Sequence, residues 1–223
     1  MEEYTGKFIV VEGCDGSGKT TLIKKLKEYY KKVKKDKIIF LKEPGSTKLG
    51  ECIRDMILKN KDLEDISVQT QLYLFMAARI ELIEKVIKPK LKEGYTVICD
   101  RFALSTWVYQ NAMDSSLSNI IKFLIEDLSR RIKVDGTIYL SIDASTAISR
   151  INNEDRKKDN NSFDEKDAIF YGSILLWYNM GLLGVEFPKN LLGEVINIDA
   201  SLKPKDIIDN ILEKDLFNED IKK

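Results

Sequence analysis

A glycine-rich segment near the start of the chain constrains the fold most strongly. Residues 13–20, GCDGSGKT, match the pattern G-x-x-x-x-G-K-[ST]. They follow an apolar run, KFIVVE, that is typical of a buried parallel strand, and they precede a lysine-rich segment with apolar residues at helical spacing. Between such a strand and helix, successive backbone N–H groups and the positive end of the helix dipole form a phosphate site.

The same pattern predicts a role for each side chain of this loop. Lys19 is expected to reach the β- and γ-phosphates of a nucleoside triphosphate, and the Thr20 hydroxyl to ligate Mg²⁺. An ordinary glycine turn is the alternative, and the strand–loop–helix context disfavours it. The predicted ATP-binding residues of the loop are Gly13, Cys14, Asp15, Gly16, Ser17, Gly18, Lys19, Thr20 and Thr21.

Strand-like and helix-like segments alternate along the rest of the chain. Further apolar runs that predict strands are KIIFLKEP, YTVICD, DGTIYLSID and EVINID. With the first run they predict five strands in a parallel, doubly wound α/β sheet, and one domain over residues 1–223. Ser67 is a candidate cap for a long helix that should kink or end near Pro89. The polar stretch of about 152–167 has two interpretations: a plain surface loop or, more specifically, a mobile lid.

Composition excludes several classes of function. Lysine plus arginine numbers 36 and aspartate plus glutamate 36, so there is no global basic field for a nucleic-acid duplex. Histidine is absent, which excludes histidine-dependent nucleophiles and metal sites. No signal peptide or membrane-spanning run is evident, and the three scattered cysteines are typical of a reduced, cytoplasmic protein.

The strand TVICD ends at Asp100, which in a doubly wound sheet would lie beside the loop and could hold Mg²⁺ directly or through water. An isolated Asp after a strand is often only a helix cap, but here Arg101 follows it. Three acceptors of a γ-phosphoryl group remain open at this point: water, a protein or a small molecule.

Five motifs, in order, make the chain resemble the thymidylate kinases, P-loop kinases of nucleoside monophosphates. They are EGCDGSGKTT, KEPGSTKLGECIRDMIL, FMAARIELIEKVIKPKL, DRFALSTWVYQ and INIDAS, and the likeness runs from Lys7 to the last helix. The resemblance implies a three-layer P-loop NTPase fold with a five-stranded parallel sheet and a short lid. It also implies phosphoryl transfer from ATP to dTMP with Mg²⁺, in a homodimer.

The resemblance further implies which residues bind the acceptor. Phe75 would stack on thymine and Arg79 would contact a base carbonyl, while Thr106 and Gln110 would meet the base edge. Without the family likeness, Phe75 would be read as a core residue. Tyr109 would crowd a ribose 2′-hydroxyl and so favour deoxynucleotides.

Charged residues complete the set that the resemblance implies. Arg54 and Arg101 would grip the acceptor phosphate, and Asp15 would bond the sugar 3′-hydroxyl. The mobile catalytic cation is expected from the lid, with Arg156 as the candidate, and Arg150 would lie nearer the adenine.

The sequence also departs from the family pattern. EPGST stands where EPGGT is usual, NAMDSS replaces a glycine-rich stretch, and Ser173 and Leu175 occupy positions where arginines are common. Two other functions therefore stay open: a kinase of another small acceptor, such as dUMP or a deoxynucleoside, and a non-catalytic nucleotide-binding protein.

Overall fold

A computed structural model describes residues 3–58, 66–151 and 168–212 of the chain. Its five strands form one parallel sheet in the order β2-β3-β1-β4-β5. The strands are β1 Lys7–Glu12, β2 Ile38–Lys42, β3 Thr96–Asp100, β4 Gly136–Ser141 and β5 Glu194–Asp199. All five coincide with predicted apolar runs, so the predicted sheet is confirmed. The central strand β1 is buried on both faces, as its continuous apolar sequence requires.

Helices cover the sheet and follow the predicted alternation with strands. They are α1 Lys19–Lys32, α2 Lys48–Leu58, α3 Val68–Leu82, α4 Lys88–Lys92, α5 Ala103–Met113, α6 Ser118–Ser129, α7 Ala144–Ile151, α8 Ala168–Leu182 and α9 Pro204–Leu212. In the described ranges, no helix is both long enough and apolar enough to cross a bilayer.

The long helix predicted after Ser67 is interrupted in the way its sequence suggests. Ser67 caps α3, because its hydroxyl oxygen accepts a hydrogen bond from the Thr70 N–H at 3.2 Å. One wide π-helical turn, Ile83–Ile87, separates α3 from α4. The irregular turn ends two residues before Pro89, a residue that has no N–H with which to continue an α-helical ladder.

The pairing of β1 with β3 brings the two predicted halves of the site together. Val11 lies opposite Asp100 in the parallel register, and the Arg101 N–H donates to the Val11 carbonyl at 3.0 Å. The loop that follows β1 and the Asp100–Arg101 pair that follows β3 therefore share the carboxyl edge of the sheet, where ligands bind in doubly wound folds.

Helix α8 offers a matched test of what stabilises this architecture. Ile174 is fully buried in the core, whereas Ile169 on the same helix is 83% exposed. We expect Ile174→Ala to lower the free energy of unfolding by about 2–5 kcal/mol, because it removes buried methyl groups and leaves a cavity. Ile169→Ala should change it by less than about 0.5 kcal/mol. Urea denaturation followed by circular dichroism measures both, and equal losses would contradict the packing of α8 described here.

Candidate active site

One cavity of about 480 Å³ opens at the carboxyl edge of the sheet and joins most of the predicted site residues. It is lined by Asp15, Gly16, Gly18, Lys19, Thr20, Thr21, Arg54, Phe75, Arg79, Asp100, Arg101, Thr106, Tyr109 and Gln110, among others. The cavity thus runs from the glycine-rich loop to the residues that the sequence assigned to an acceptor.

A second cavity of about 260 Å³ lies on the other side of the loop. Arg150 from α7 lines it and donates to the carbonyls of Gly16 at 3.4 Å and Ala200 at 2.9 Å. Arg150 therefore lies apart from the first cavity but against the same loop. The predicted lid and Arg156 lie outside the described residues.

The loop has the backbone conformation that its glycines permit. Gly13, Gly16 and Gly18 have φ angles of 147°, 78° and 95°, values that side chains other than glycine rarely adopt. At Gly16 a Cβ would also lie 2.5 Å from the Ala147 carbonyl oxygen. Glycine at this position therefore lets the loop pack directly on α7.

Lys19 is folded back onto the loop. Its ammonium donates to the Gly13 carbonyl at 2.8 Å and to the Cys14 carbonyl at 2.9 Å, and the residue is 7% exposed. Burial lowers the pKa of Lys19, Arg101 lowers it further, and Asp15 opposes both. These carbonyls use two of the three N–H donors of the ammonium, so one donor remains for a phosphate oxygen.

Thr20 and Asp100 present oxygen ligands to the same cavity. The Oδ1 atom of Asp100 is buried and has no hydrogen-bond partner among the described residues. Carboxylate and hydroxyl oxygens suit Mg²⁺, which usually takes one or two protein ligands together with substrate phosphates. Elsewhere in the described ranges, no cluster of three or more acidic, Cys or His side chains could bind a metal by itself. The donor set fits a magnesium ion that is bound jointly with a nucleotide.

Arg101 lies beside the glycine-rich loop, where three side chains contact its guanidinium. One of its terminal nitrogens pairs with Asp15, the other donates to the Ser105 hydroxyl at 3.1 Å, and the guanidinium lies 5.1 Å from the centre of the Tyr109 ring. Burial would raise the pKa of Asp15, but Arg101, Lys19 and the Tyr109 hydroxyl outweigh it and keep the pKa below its usual value.

Tyr109 finds its hydroxyl partner in the glycine-rich loop. The hydroxyl donates to Asp15 Oδ2 at 3.0 Å and accepts from the Asp15 N–H at 3.1 Å. Sequence analysis placed Tyr109 beside the sugar but did not identify this contact. The tyrosine thus fixes the carboxylate that faces Arg101.

The predicted base-binding residues converge on the far end of the cavity. Phe75 is partly buried, whereas Thr106 is 3% and Gln110 1% exposed, and all three line the cavity. The spacing of four residues in each predicted pair does place both members in the cavity lining. Arg54 also lines it and donates to the Pro44 carbonyl at 3.1 Å.

Arg79 is fixed by a buried partner that sequence analysis missed. Its Nε atom donates to Glu43 Oε2 at 2.6 Å, and a terminal nitrogen donates to the Phe102 carbonyl at 3.1 Å. Both side chains of the Arg79–Glu43 pair are almost fully buried. Burial raises the pKa of Glu43 to about 7, with Arg79 opposing the rise. The only sequence signal was the position of Glu43 directly after β2, at the active edge of the sheet.

The departure EPGST has a local structural explanation. Ser46, the residue at which this motif departs, adopts a φ of 63°. Its hydroxyl accepts from the Lys42 N–H at 2.9 Å and donates to the Lys42 carbonyl at 3.2 Å, while its own N–H donates to Glu51 Oε1 at 2.9 Å. These bonds offset the strain of the left-handed backbone and keep the turn closed.

Three other residues with a structural link to the site were also not identified from the sequence. They are Glu12, Ser105 and Tyr178, which form a buried hydrogen-bonded group behind Arg101. Their separation along the chain leaves no local pattern from which the group could have been recognised.

Comparisons with known proteins find relatives that match most of the chain. The thymidylate kinase family model matches residues 11–175. The thymidylate kinase of Mesoplasma florum is 36% identical over 93% of this chain and 95% of its own. The thymidylate kinase of Orientia tsutsugamushi is 36% identical over 95% and 97% of the two chains. That of Ureaplasma parvum is 32% identical over 94% and 89%.

Two ion pairs of equal length allow a matched test of the buried one. Arg79–Glu43 and Lys90–Glu93 both join at 2.6 Å, but Glu93 is 52% exposed in its side chain. We expect Glu43→Ala to lower the free energy of unfolding by about 3–5 kcal/mol, because it leaves a buried guanidinium without its countercharge.

Glu93→Ala should cost less than about 1 kcal/mol, since water screens that pair. Guanidinium chloride titrations of the two variants and the parent give the comparison. If Glu43→Ala costs no more than Glu93→Ala, then Glu43 does not compensate the charge of Arg79.

Proposed function

The chain belongs to the thymidylate kinase family, and on that premise we propose how its cavity transfers the γ-phosphoryl group of ATP to dTMP, giving dTDP and ADP. The observation that carries the proposal is the continuous cavity from Lys19 to Phe75 and Thr106. Donor and acceptor phosphates can meet in such a space, whereas a simple ATP-binding protein would need only the loop.

The donor nucleotide is assigned to the glycine-rich loop. Its backbone N–H groups and the N-terminus of α1 would hold the phosphates, with Lys19 donating to the β- and γ-phosphates. Thr20 and Asp100 would hold Mg²⁺, which when bound neutralises charge on the phosphate oxygens. Arg150, on the second cavity, is assigned to the adenine end.

The acceptor phosphate is assigned to Arg101 and Arg54. Arginine forks suit this role because they offer several N–H donors in a fixed plane. Asp15, already paired with Arg101 and bonded to Tyr109, is assigned to the sugar 3′-hydroxyl. Phosphate and sugar would thus be positioned by one connected group of side chains.

The thymine base is assigned to the far end of the cavity. Phe75 would stack on the ring, and Arg79 would donate to a carbonyl, with its guanidinium already held by Glu43. Thr106 and Gln110 would meet the base edge, and the Tyr109 ring would exclude a 2′-hydroxyl. A rigidly held Arg79 supports selectivity, since a base without a matching acceptor would leave an N–H donor of the fixed guanidinium without a partner.

The reaction requires positioning and charge neutralisation rather than a covalent intermediate. An acceptor phosphate oxygen attacks in line, and cations stabilise the transferring group, so the absence of histidine is no obstacle. The sequence assigns to Arg156 the cation that approaches from the lid. The matched cavity residues favour this reaction over transfer to a deoxynucleoside or simple nucleotide binding.

We also propose that the enzyme acts in the cytoplasm as a homodimer. Its three cysteines are free, which suits a reducing compartment. On α3, Tyr73 is 48% exposed, and Ala77 and Ile80 extend the same outward side, next to the buried residues of that helix. This side of α3 could pack against a second copy.

An acceptor panel tests the proposed function directly. With ATP and Mg²⁺, dTMP should drive ADP release, thymidine should not, and dUMP should be used about tenfold less efficiently because it lacks one methyl group. Lys19→Ala should reduce transfer about 100-fold or more by removing charge from the transition state.

Lys24→Ala, which removes an exposed lysine of the same helix, is the control and should retain full activity. ADP release in a coupled spectrophotometric assay is the readout. If the protein binds ATP but shows no dTMP-dependent ADP release, the proposed kinase activity is wrong and the chain is only a nucleotide-binding protein.

The stacking role of Phe75 makes a second kinetic prediction. Phe75→Ala should raise the KM for dTMP about tenfold, since base–aromatic stacking contributes about 1–3 kcal/mol, and should leave the KM for ATP unchanged. Phe123→Ala removes a ring that is 64% exposed on α6 and serves as the control. If Phe75→Ala lowers only the thermal stability and leaves the KM for dTMP unchanged, then Phe75 is a core packing residue and does not stack on the base.

A further inference from the structure

Glu12, the last residue of β1, carries a buried carboxylate that the proposed reaction does not use. It is 0% exposed. Its Oε1 atom accepts from the backbone N–H groups of Phe102 at 2.9 Å and Ser105 at 3.1 Å. Its Oε2 atom accepts from the Ser105 hydroxyl at 2.6 Å and the Tyr178 hydroxyl at 3.2 Å. A buried carboxylate is costly without partners, and here two N–H groups and the Ser105 hydroxyl donate to it, while the single Tyr178 hydroxyl proton is shared between Glu12 and the Gly13 carbonyl.

The two backbone contacts make Glu12 the N-terminal cap of α5. The residue at the cap position of this helix, Phe102, makes no side-chain cap bond. The Oε1 atom of Glu12, from a neighbouring strand, instead accepts the N–H of this cap residue and the N–H of Ser105, the third residue of α5. This contact pins the backbone immediately after Arg101, whose φ of 68° is unusual for a side chain other than glycine.

Ser105 connects the same carboxylate to the Arg101 guanidinium. Its single hydroxyl proton points to Glu12 Oε2, which leaves the oxygen lone pairs to accept from Arg101 at 3.1 Å. An acidic side chain at position 12 therefore fixes the direction of the hydroxyl and keeps it an acceptor toward arginine. Without that acceptor, the hydroxyl proton would compete for the space in front of the guanidinium.

The same group contacts the donor side of the site. Glu12 directly precedes Gly13, and the Gly13 carbonyl accepts from Lys19 and from Tyr178 at 3.0 Å. The distance between the loop and Arg101 is thus spanned by short, buried hydrogen bonds. Side chains that are held from behind in this way keep their geometry when substrates arrive.

We propose that Glu12, acting through Ser105, is a positioning residue that holds Arg101 at a fixed place relative to the glycine-rich loop. Glu12 has no exposed surface with which to touch a substrate; its effect passes through Arg101. This inference rests on the assignment of Arg101 to the acceptor phosphate. Its kinetic signature is a loss of dTMP binding with ATP binding retained.

Ser105→Ala is the primary variant, because it cuts the link to Arg101 while Glu12 keeps both backbone N–H partners. The dissociation constant of dTMP, measured by calorimetry, should rise about tenfold with the loss of a hydrogen bond to a charged group. The KM for dTMP should rise in parallel, and that for ATP should change less than about twofold. Glu12→Gln should give the same pattern of dissociation and Michaelis constants. Its NH₂ group would face donors, either the Ser105 hydroxyl or the backbone N–H groups, and so could not accept from them.

Thr137→Val is the matched control. Thr137 lies on β4, away from the cavity, and its buried hydroxyl donates to the Leu192 carbonyl at 2.6 Å. The variant should lower the melting temperature as Ser105→Ala does and leave dTMP binding unchanged. If Thr137→Val weakens dTMP binding as much as Ser105→Ala, the effect is general destabilisation and the inference fails.

A double-mutant cycle with Arg101→Lys separates the inference from its premise. If Ser105 acts through Arg101, Ser105→Ala should weaken dTMP binding no further in the Arg101→Lys protein. Full additivity would overturn the inference, because Ser105 would then contact the substrate itself. A silent Ser105→Ala beside a damaging Arg101→Lys would overturn the inference alone. A silent Arg101→Lys would overturn both the inference and the assignment of the acceptor phosphate.

Discussion

The parallel pairing of β1 with β3 is the constraint on which the rest of the site depends. It sets Val11 opposite Asp100, so the glycine-rich loop and the Asp100–Arg101 pair emerge side by side at one edge of the sheet. The proposed site needs both the loop that follows β1 and the Asp100–Arg101 pair that follows β3. Because both strands are buried and apolar, a slip in register would force every side chain into a packing site shaped for another, so the close packing of the core also fixes the spacing of the groups at the sheet edge.

Most of the fold and of the cavity lining was predictable from the sequence, and the contacts that were not predictable share a cause. The strands and the loop have local signatures, namely apolar runs, glycines and helical spacing, that a single chain displays. No such signature reveals the contacts of Glu12 and Glu43, since their partners Ser105 and Arg79 lie 93 and 36 residues away. The folded-back Lys19 was also missed, because a motif specifies which residue meets a phosphate but not where the side chain rests before the phosphate arrives.

The charges of the site are organised in pairs although the chain as a whole is neutral. Arg101 faces Asp15, Arg79 faces Glu43, and Lys19 is held by two loop carbonyls. The protein itself thus supplies an acceptor to each of these cations. Under the proposed function, such preorganised cations would stabilise the charge that develops during transfer with little reorganisation.

Buried ion pairs contribute little net stability, which is consistent with their position at the cavity, where they orient side chains. A well-packed apolar replacement is often as stable as a buried ion pair or more so, whereas removal of one partner is costly. The stability of this fold must therefore come from the apolar sheet and helices, in which Phe8, Ile9 and Ile98 are fully buried. Since the Arg79–Glu43 pair and the Glu12 group are not needed to hold the sheet together, their value lies in orientation. Each anchors a guanidinium that faces the cavity, at a cost in stability that the core beneath it can offset.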